Sequence, residues 1–206
     1  LITKYPGYNF FSSARSSMQE GILKRDRFSL AVNKTNPIVI NLKTYLQYAI
    51  KGMRAVGTNS VCINKQSPYI NNLFPEGRTN RSGDLYAWVV LLAKEGSLVW
   101  SPHIASISHR NSSNMVSKTA VASIVIFYEL VDVLSPIITT EEKRLLKKYV
   151  NRLIKQAWSQ QKKDGEKLGP VGNYYYWSND VLFCLRTQLV SIMPNDLITG
   201  IKKLRS

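Results

Sequence analysis

Cysteine and histidine are scarce in this sequence of 206 residues, which contains two of each. Two isolated thiols, Cys62 and Cys184, exclude the disulfide framework of a small secreted domain. His103 and His109 lie six residues apart, which is not a same-face helical spacing, and no carboxylate lies between them to complete a zinc site. The sequence therefore predicts no metal and no cofactor, and both cysteines are expected to be structural.

Acidic residues and long apolar runs are also in short supply. Only 13 Asp and Glu accompany 28 Lys and Arg, so the chain has a net charge of +15 and few carboxylate pairs for acid–base chemistry. Neither of the glycine-rich phosphate-binding patterns of nucleotide-dependent enzymes occurs. The longest apolar runs, 85–93 and 120–128, are shorter than the roughly 20 residues that span a bilayer. We expect buried helices there and no membrane span.

The positive charge is concentrated towards the two ends of the chain. Residues 1–81 have 12 cationic and 3 anionic side chains, residues 82–138 have 3 and 4, and residues 139–206 have 13 and 6. This pattern predicts an apolar core between two basic layers that line one groove for a polyanion; the alternative is a generic solvated surface. We divide the chain into a basic N-terminal region with a hairpin and an arm, 1–81, and a helical core with basic C-terminal helices, 82–206. The two can form a single domain.

The apolar periodicity predicts a mainly α fold, a compact helical domain with apolar central helices and one small β-hairpin. Asn41 is the expected N-cap of a helix that ends at Gly57, and Thr139 with Glu142 fits a capping box at the start of a long amphipathic helix. Further helices are expected at 82–95, 112–134, 178–192 and 195–204. Period-two apolar residues at 28–32 and 38–40 predict the two strands of the hairpin.

Cationic side chains near aromatic ones are the clearest candidates for a binding surface. One face of the helix after Thr139 is cationic, and four consecutive rings, 174–177, follow a lysine-rich loop. Exposed rings stack on bases while nearby cations hold phosphates, whereas buried rings would anchor the core. Arginines in loops suit bidentate phosphate contacts. The candidate nucleic-acid-binding residues are Lys24, Arg25, Arg27, Arg78, Arg81, Arg144, Lys147, Lys148, Arg152, Lys155, Lys162, Lys163, Tyr174 and Tyr176.

These features favour a non-enzymatic protein that binds RNA or single-stranded nucleic acid with low sequence specificity. A nucleocapsid, coat or ribonucleoprotein component of this kind self-assembles as a homo-oligomer and acts inside a cell, a virion or a ribonucleoprotein particle. One alternative is an enzyme acting on an anionic polysaccharide or nucleic acid, with a histidine and Tyr175 meeting in a cleft. The other is a helical, sequence-specific DNA-binding protein that places the 195–204 helix in the major groove.

Overall fold

The computed structural model describes residues 1–109 and 122–192 and shows a mixed α/β fold, so the prediction of a mainly α fold is wrong. About 46% of the chain so described is helical and 19% lies in a five-stranded sheet that curls into a half-barrel. The strands are β1 (Phe10–Gln19), β2 (Ile22–Arg25), β3 (Ile38–Asn41), β4 (Val61–Ile63) and β5 (Ser97–His109). The helices are α1 (Arg27–Val32), α2 (Leu42–Ala49), α3 (Gly83–Glu95), α4 (Val125–Leu134), α5 (Thr140–Lys163) and α6 (Val181–Ile192), with 3₁₀ turns at Thr58–Ser60, Val171–Tyr174 and Trp177–Asn179.

The sheet is built around β1. Its strand order is β2-β1-β5-β3, in which β1 and β5 are parallel and the two outer strands are antiparallel to their neighbours. Strand β4 also pairs with β1, on the edge opposite β5, and uses only the first part of that edge, from Phe10 to Ser12. Strand β2 pairs with the last part, from Ser16 to Gln19. The outer edge of β1 is therefore divided between two partners, and the division falls at residues 13–15.

The two long strands, β1 and β5, were not predicted because their sequences do not follow a regular apolar alternation. Strand β1 is rich in serine, and β5 contains Pro102, a residue that removes a backbone donor from a sheet. Pro102 lies where the pairing of β1 with β5 slips, because Ser13 is opposite Ser101 but Ala14 is opposite Ile104. Such an irregularity accommodates the proline and bends the sheet.

The predicted hairpin at 28–40 is wrong, because its first strand lies in helix α1 and its second strand, β3, pairs with β5. The side chain of Asp26 accepts hydrogen bonds from the Ser29 backbone N–H, at 2.9 Å, and from the Ser29 hydroxyl, and this N-cap starts α1. The ring of Phe28 is then buried at 5.1 Å from that of Trp100. The observed hairpin joins β1 to β2 through Glu20 and Gly21, both with positive φ, as a type I′ hairpin turn requires.

Several predicted helix ends are confirmed. The side chain of Asn41 caps α2, the Thr139–Glu142 capping box starts α5, and Gly96 ends α3. Helix α2 is shorter than predicted, ending at Ala49 ahead of Gly52. The predicted helix at 195–204 and the start of the one at 112–134 lie outside the described residues.

One hydrophobic core holds these elements together. Helix α3 packs on β1 and β5, α2 packs on α5, and α4 packs between α3 and α5. The core includes side chains from both predicted regions, among them Phe10, Tyr45, Trp100 and Tyr149. Within residues 1–109 and 122–192, no helix has both the length and the apolar content to cross a bilayer.

Candidate nucleic-acid interface

A cavity of about 610 Å³ opens beside the divided edge of β1. We call it the basic pocket, because five of its lining side chains are cationic and one is a carboxylate. It lies among β1, β2, the start of α1, the segment after α2 and the middle of α5. Its lining residues are Arg15, Ser16, Ser17, Lys24, Arg25, Asp26, Arg27, Phe28, Gly52, Arg54, Asn59, Ser108 and Gln156.

Asp26 closes the gap that β4 and β2 leave on β1. The backbone N–H of Arg15 donates to the Asp26 carboxylate at 2.9 Å, and the N–H of Asp26 donates to the carbonyl of Arg15 at 3.0 Å. The same carboxylate caps α1 through Ser29. Asp26 therefore sets where the chain turns from β2 into α1 and fixes that wall of the basic pocket.

The side chain of Arg15 fixes a second wall. Its Nη1 donates to the carbonyl of Val56 at 3.1 Å and its Nη2 to the carbonyl of Arg54 at 3.0 Å. The guanidinium passes so close to Gly57 that a Cβ at that position would lie 1.5 Å from Nη1. Any larger residue at position 57 would therefore displace the guanidinium from these carbonyls, which tie the segment that presents Arg54 to β1.

Lys24, Arg25 and Arg27 form the exposed rim of the basic pocket. The register of β1 with β2 places Arg25 opposite Ser16 and Lys24 opposite Ser17. Within the described part of the chain, none of these three cations forms an ion pair with a carboxylate. Their charges are therefore available to a ligand, and the five positive charges in the basic pocket exceed its single carboxylate by four.

The sequence indicates the three rim cations but not Arg15 and Arg54. Arg15 lies in a strand that was not predicted, and Arg54 was placed in a helix that ends before it. Both reach the pocket only through contacts between residues 39 to 41 positions apart, which a local pattern does not reveal.

The four other predicted arginines, Arg78, Arg81, Arg144 and Arg152, lie outside the basic pocket. Arg78 forms an ion pair with Glu129, and Arg81 lines a small cleft beside Phe127 and Gln160. Arg152 pairs with Asp180 at 2.6 Å, and its guanidinium lies 3.4 Å from the centre of the Phe183 ring. These contacts hold α4 and α6 in place, so Arg78 and Arg152 have structural partners within the fold.

The other cations of α5 also lie outside the basic pocket. Arg144 and Lys147 line a second, more open cavity of about 610 Å³ with Lys143. Lys148 is half-buried, Lys155 and Lys163 are exposed, and Lys162 lies over the Trp158 ring at 4.8 Å. Among the described residues, Gln156 is the one contribution of α5 to the basic pocket, so its five cations all come from residues 1–81.

The tyrosines are held mainly in the fold and lie beside α5 rather than in the basic pocket. The carbonyl of Tyr174 accepts a hydrogen bond from the Tyr128 hydroxyl, and Tyr175 is only 8% exposed. Tyr176 is half-buried, with the Lys147 ammonium 5.0 Å from its ring centre. Burial, with Asp132 and Tyr128 nearby, raises the pKa of Tyr176 to about 12, and burial does the same for Tyr175.

The histidines and cysteines do not assemble into a reactive site. His103 and His109 are exposed on β5, Cys62 is exposed on β4, and Cys184 is fully buried, where burial raises the pKa of its thiol. Across 1–109 and 122–192, no three His, Cys, Asp or Glu side chains come together in a way that could hold a metal ion.

Comparison with known proteins identifies no relative. No protein family, curated protein sequence or solved structure matches this chain. The basic pocket and its chemistry are therefore the basis for assigning a function.

Proposed function

We propose that this protein binds RNA or single-stranded nucleic acid with low sequence specificity, without catalysing a reaction, and that the basic pocket is where it holds phosphates. The observation that carries this proposal is the gathering of five cations around one carboxylate in a single cavity. Like charges repel one another, so such a cluster is most stable when an anion fills it. Phosphate groups supply the negative charge, and two of their oxygens fit the planar fork of an arginine side chain.

The other side chains of the basic pocket favour contacts to the backbone over contacts to bases. Phe28 is the one aromatic residue among its described lining residues, and its ring is only 1% exposed. The remaining groups, such as Ser17, Asn59 and Gln156, are small polar donors and acceptors. Phosphate and sugar contacts position a nucleic acid but carry no sequence information, which supports low specificity.

The arrangement favours binding over catalysis. Asp26 is the single carboxylate among the described lining residues, and it accepts hydrogen bonds from the Arg15 N–H, the Ser29 N–H and the Ser29 hydroxyl. A carboxylate engaged in this way has a structural role and is poorly placed to act as a general base. His103 and His109 are not among the lining residues, so the enzyme alternative gains no support here.

The test measures the salt dependence of binding by fluorescence anisotropy, with a labelled 12-nucleotide RNA of mixed sequence and a 5′-hydroxyl end. If the four cations other than Arg15 each neutralise one phosphate, the slope of log K against log salt is about −2.8. The affinity then falls about 50-fold between about 50 and 200 mM salt. In the double variant Lys24→Glu/Arg25→Glu the slope should be shallower by about 1.4, and binding at low salt should weaken strongly.

The matched control is the variant Lys34→Glu/Lys65→Glu. It makes the same change in net charge at two exposed positions that do not line the basic pocket. We expect it to retain a slope close to that of the unmodified protein. Equal losses in the two double variants would show that binding follows net charge alone and would remove the basic pocket from the proposal.

We also propose that the protein self-assembles and that α6 contributes to the contact. Leu182, Leu185, Leu189 and Ile192 recur along one side of α6, and each is at least 48% exposed, with Leu182 at 83%. Exposed apolar side chains at this spacing are typical of helix-mediated association. Sedimentation velocity on the variant Leu182→Glu/Leu189→Glu tests this proposal: oligomers that persist unchanged would exclude this face of α6.

A further inference from the structure

We infer that the basic pocket binds a linear triphosphate group, such as the 5′-triphosphate end of an RNA, in preference to the phosphodiesters within a strand. This inference rests on the proposed function and specifies which part of the ligand the pocket holds. The supporting observations are the density of charge in the cavity, the separate elements that supply it and the volume it encloses.

The charge of the basic pocket matches that of a triphosphate. Its five cations exceed Asp26 by four charges. Each bridging phosphate of a triphosphate monoester carries about one negative charge and the terminal one about 1.5 to 2, which gives about 3.5 to 4 in all. A phosphodiester within a strand carries one charge, so several phosphodiesters must enter the cavity to supply the charge that a single triphosphate group supplies.

The cations converge from different elements onto one cavity. Arg15 comes from β1, Lys24 and Arg25 from β2, Arg27 from the start of α1 and Arg54 from the segment after α2. Four of the five are arginines, and Arg15 uses its guanidinium to bind two backbone carbonyls. The guanidinium groups of Arg25, Arg27 and Arg54 suit contacts to two phosphate oxygens at once. A row of cations along one helix suits the extended backbone of a nucleic acid. Cations that several elements bring to one cavity suit a compact and highly charged group.

The volume of the cavity fits one small ligand. At about 610 Å³ it lies within the range of pockets that hold single small molecules, roughly 300 to 1,000 Å³. The hydroxyl of Ser108 accepts a hydrogen bond from the Asn59 amide at 2.9 Å, and both residues line the pocket beside the cations. These polar groups are suited to a ribose next to the phosphates.

Neutralisation by side chains also has a consequence for metal dependence. Because the cations of the basic pocket exceed its carboxylate by four charges and Asp26 is already hydrogen-bonded, the pocket itself supplies the charge that Mg²⁺ supplies in many triphosphate sites. Binding should therefore persist in EDTA.

The experiment compares two 12-nucleotide RNAs of one sequence, labelled at the 3′ end, that carry either a 5′-triphosphate or a 5′-hydroxyl. We expect the triphosphate RNA to bind at least about tenfold more tightly, with or without EDTA, since one additional charge-assisted contact has an effect of this size. Inorganic triphosphate should compete at lower concentration than orthophosphate. If ATP competes as well as inorganic triphosphate, a free nucleotide can supply the same triphosphate group.

A variant separates this inference from the proposed function. Arg27→Gln, which removes one exposed rim cation, should reduce the preference for the triphosphate end, and Lys34→Gln should leave it unchanged. Equal affinity of the two RNAs, with both weakened in Lys24→Glu/Arg25→Glu, would overturn the triphosphate inference but leave the proposed function intact. Binding that the double variant does not weaken more than its matched control would overturn both.

Discussion

Replacing Asp26 should change stability and ligand affinity in opposite directions. Its carboxylate caps α1, accepts the Arg15 N–H and is the one negative charge among the described residues that line the basic pocket. Removing the side chain therefore removes stabilising hydrogen bonds and also raises the positive potential of the cavity. A residue that only stabilises the fold would not increase ligand affinity when it is removed.

The size of each effect follows from these contacts. In Asp26→Ala, loss of the helix cap costs about 0.5 to 2 kcal/mol, and the unpaired Arg15 N–H costs about 1 to 3 kcal/mol. A combined loss of about 3 kcal/mol lowers Tm by about 6 to 12 °C in a chain of this size. For affinity, removing one charge on the order of 8 Å from a phosphate at an effective dielectric constant of about 40 gives about 1 kcal/mol, or roughly fivefold tighter binding.

The variant Asp26→Asn separates the two contributions. Asparagine is as good an N-cap as aspartate, so the bond to the Ser29 N–H can persist, whereas the amide nitrogen of Asn cannot accept from the Arg15 N–H. We expect a smaller loss of Tm than in Asp26→Ala and the same gain in affinity. Circular dichroism at 222 nm measures Tm, and anisotropy with the 12-nucleotide RNA at about 100 mM salt measures affinity. Weaker binding by Asp26→Asn would refute this account of the pocket.

Three further predictions concern the supporting structure. Gly57→Ala should lower Tm and RNA affinity together, because the added Cβ displaces the Arg15 guanidinium from two carbonyl groups; circular dichroism and anisotropy measure both. Arg152→Ala should lower the urea midpoint by breaking the ion pair with Asp180, while RNA affinity changes by less than about twofold. Tyr175 and Tyr176, with folded pKa values of about 12, stay protonated in the folded state above their unfolded pKa of about 10. The free energy of unfolding should therefore fall as pH rises from about 10 to 12, and absorbance at 295 nm should show late ionisation; full ionisation by pH 10.5 in the folded protein would contradict this.

The parts of the fold that could be predicted from sequence are those that depend on hydrogen bonds over a few residues. Thr139 and Glu142 bond each other's backbone N–H across one helical turn, and Asn41 bonds the N–H three residues ahead. These contacts need nothing from the rest of the chain, so sequence alone indicates them. The Asp26 cap is of the same kind. It was not predicted because the period-two pattern of the apolar residues that follow indicated a strand.

The sheet could not be predicted because its central pairing joins residues almost ninety positions apart. Phe11 on β1 lies opposite Val99 on β5, and the pairing slips near Pro102. A parallel pair of this kind gives no turn signal in the sequence, and its serines on both strands weaken the apolar alternation. The basic pocket depends on this pairing, since β1 positions Arg15 and β5 contributes Ser108.

The composition shows that cations are in excess, but only the tertiary structure shows where the cations of the basic pocket lie. Three ion pairs between described residues each join a cation to an acid at least 28 positions away, as in Arg152 with Asp180 and Lys43 with Glu141. Local sequence therefore cannot show which cations the fold will pair. The whole chain has 13 acids for 28 cations, so many cations have no acid to pair with, and residues 1–81 contain only three of the acids. In the fold, the rim cations of the basic pocket lie where β2 turns into α1. The one acid among the described lining residues, Asp26, is already bonded to Arg15 and Ser29.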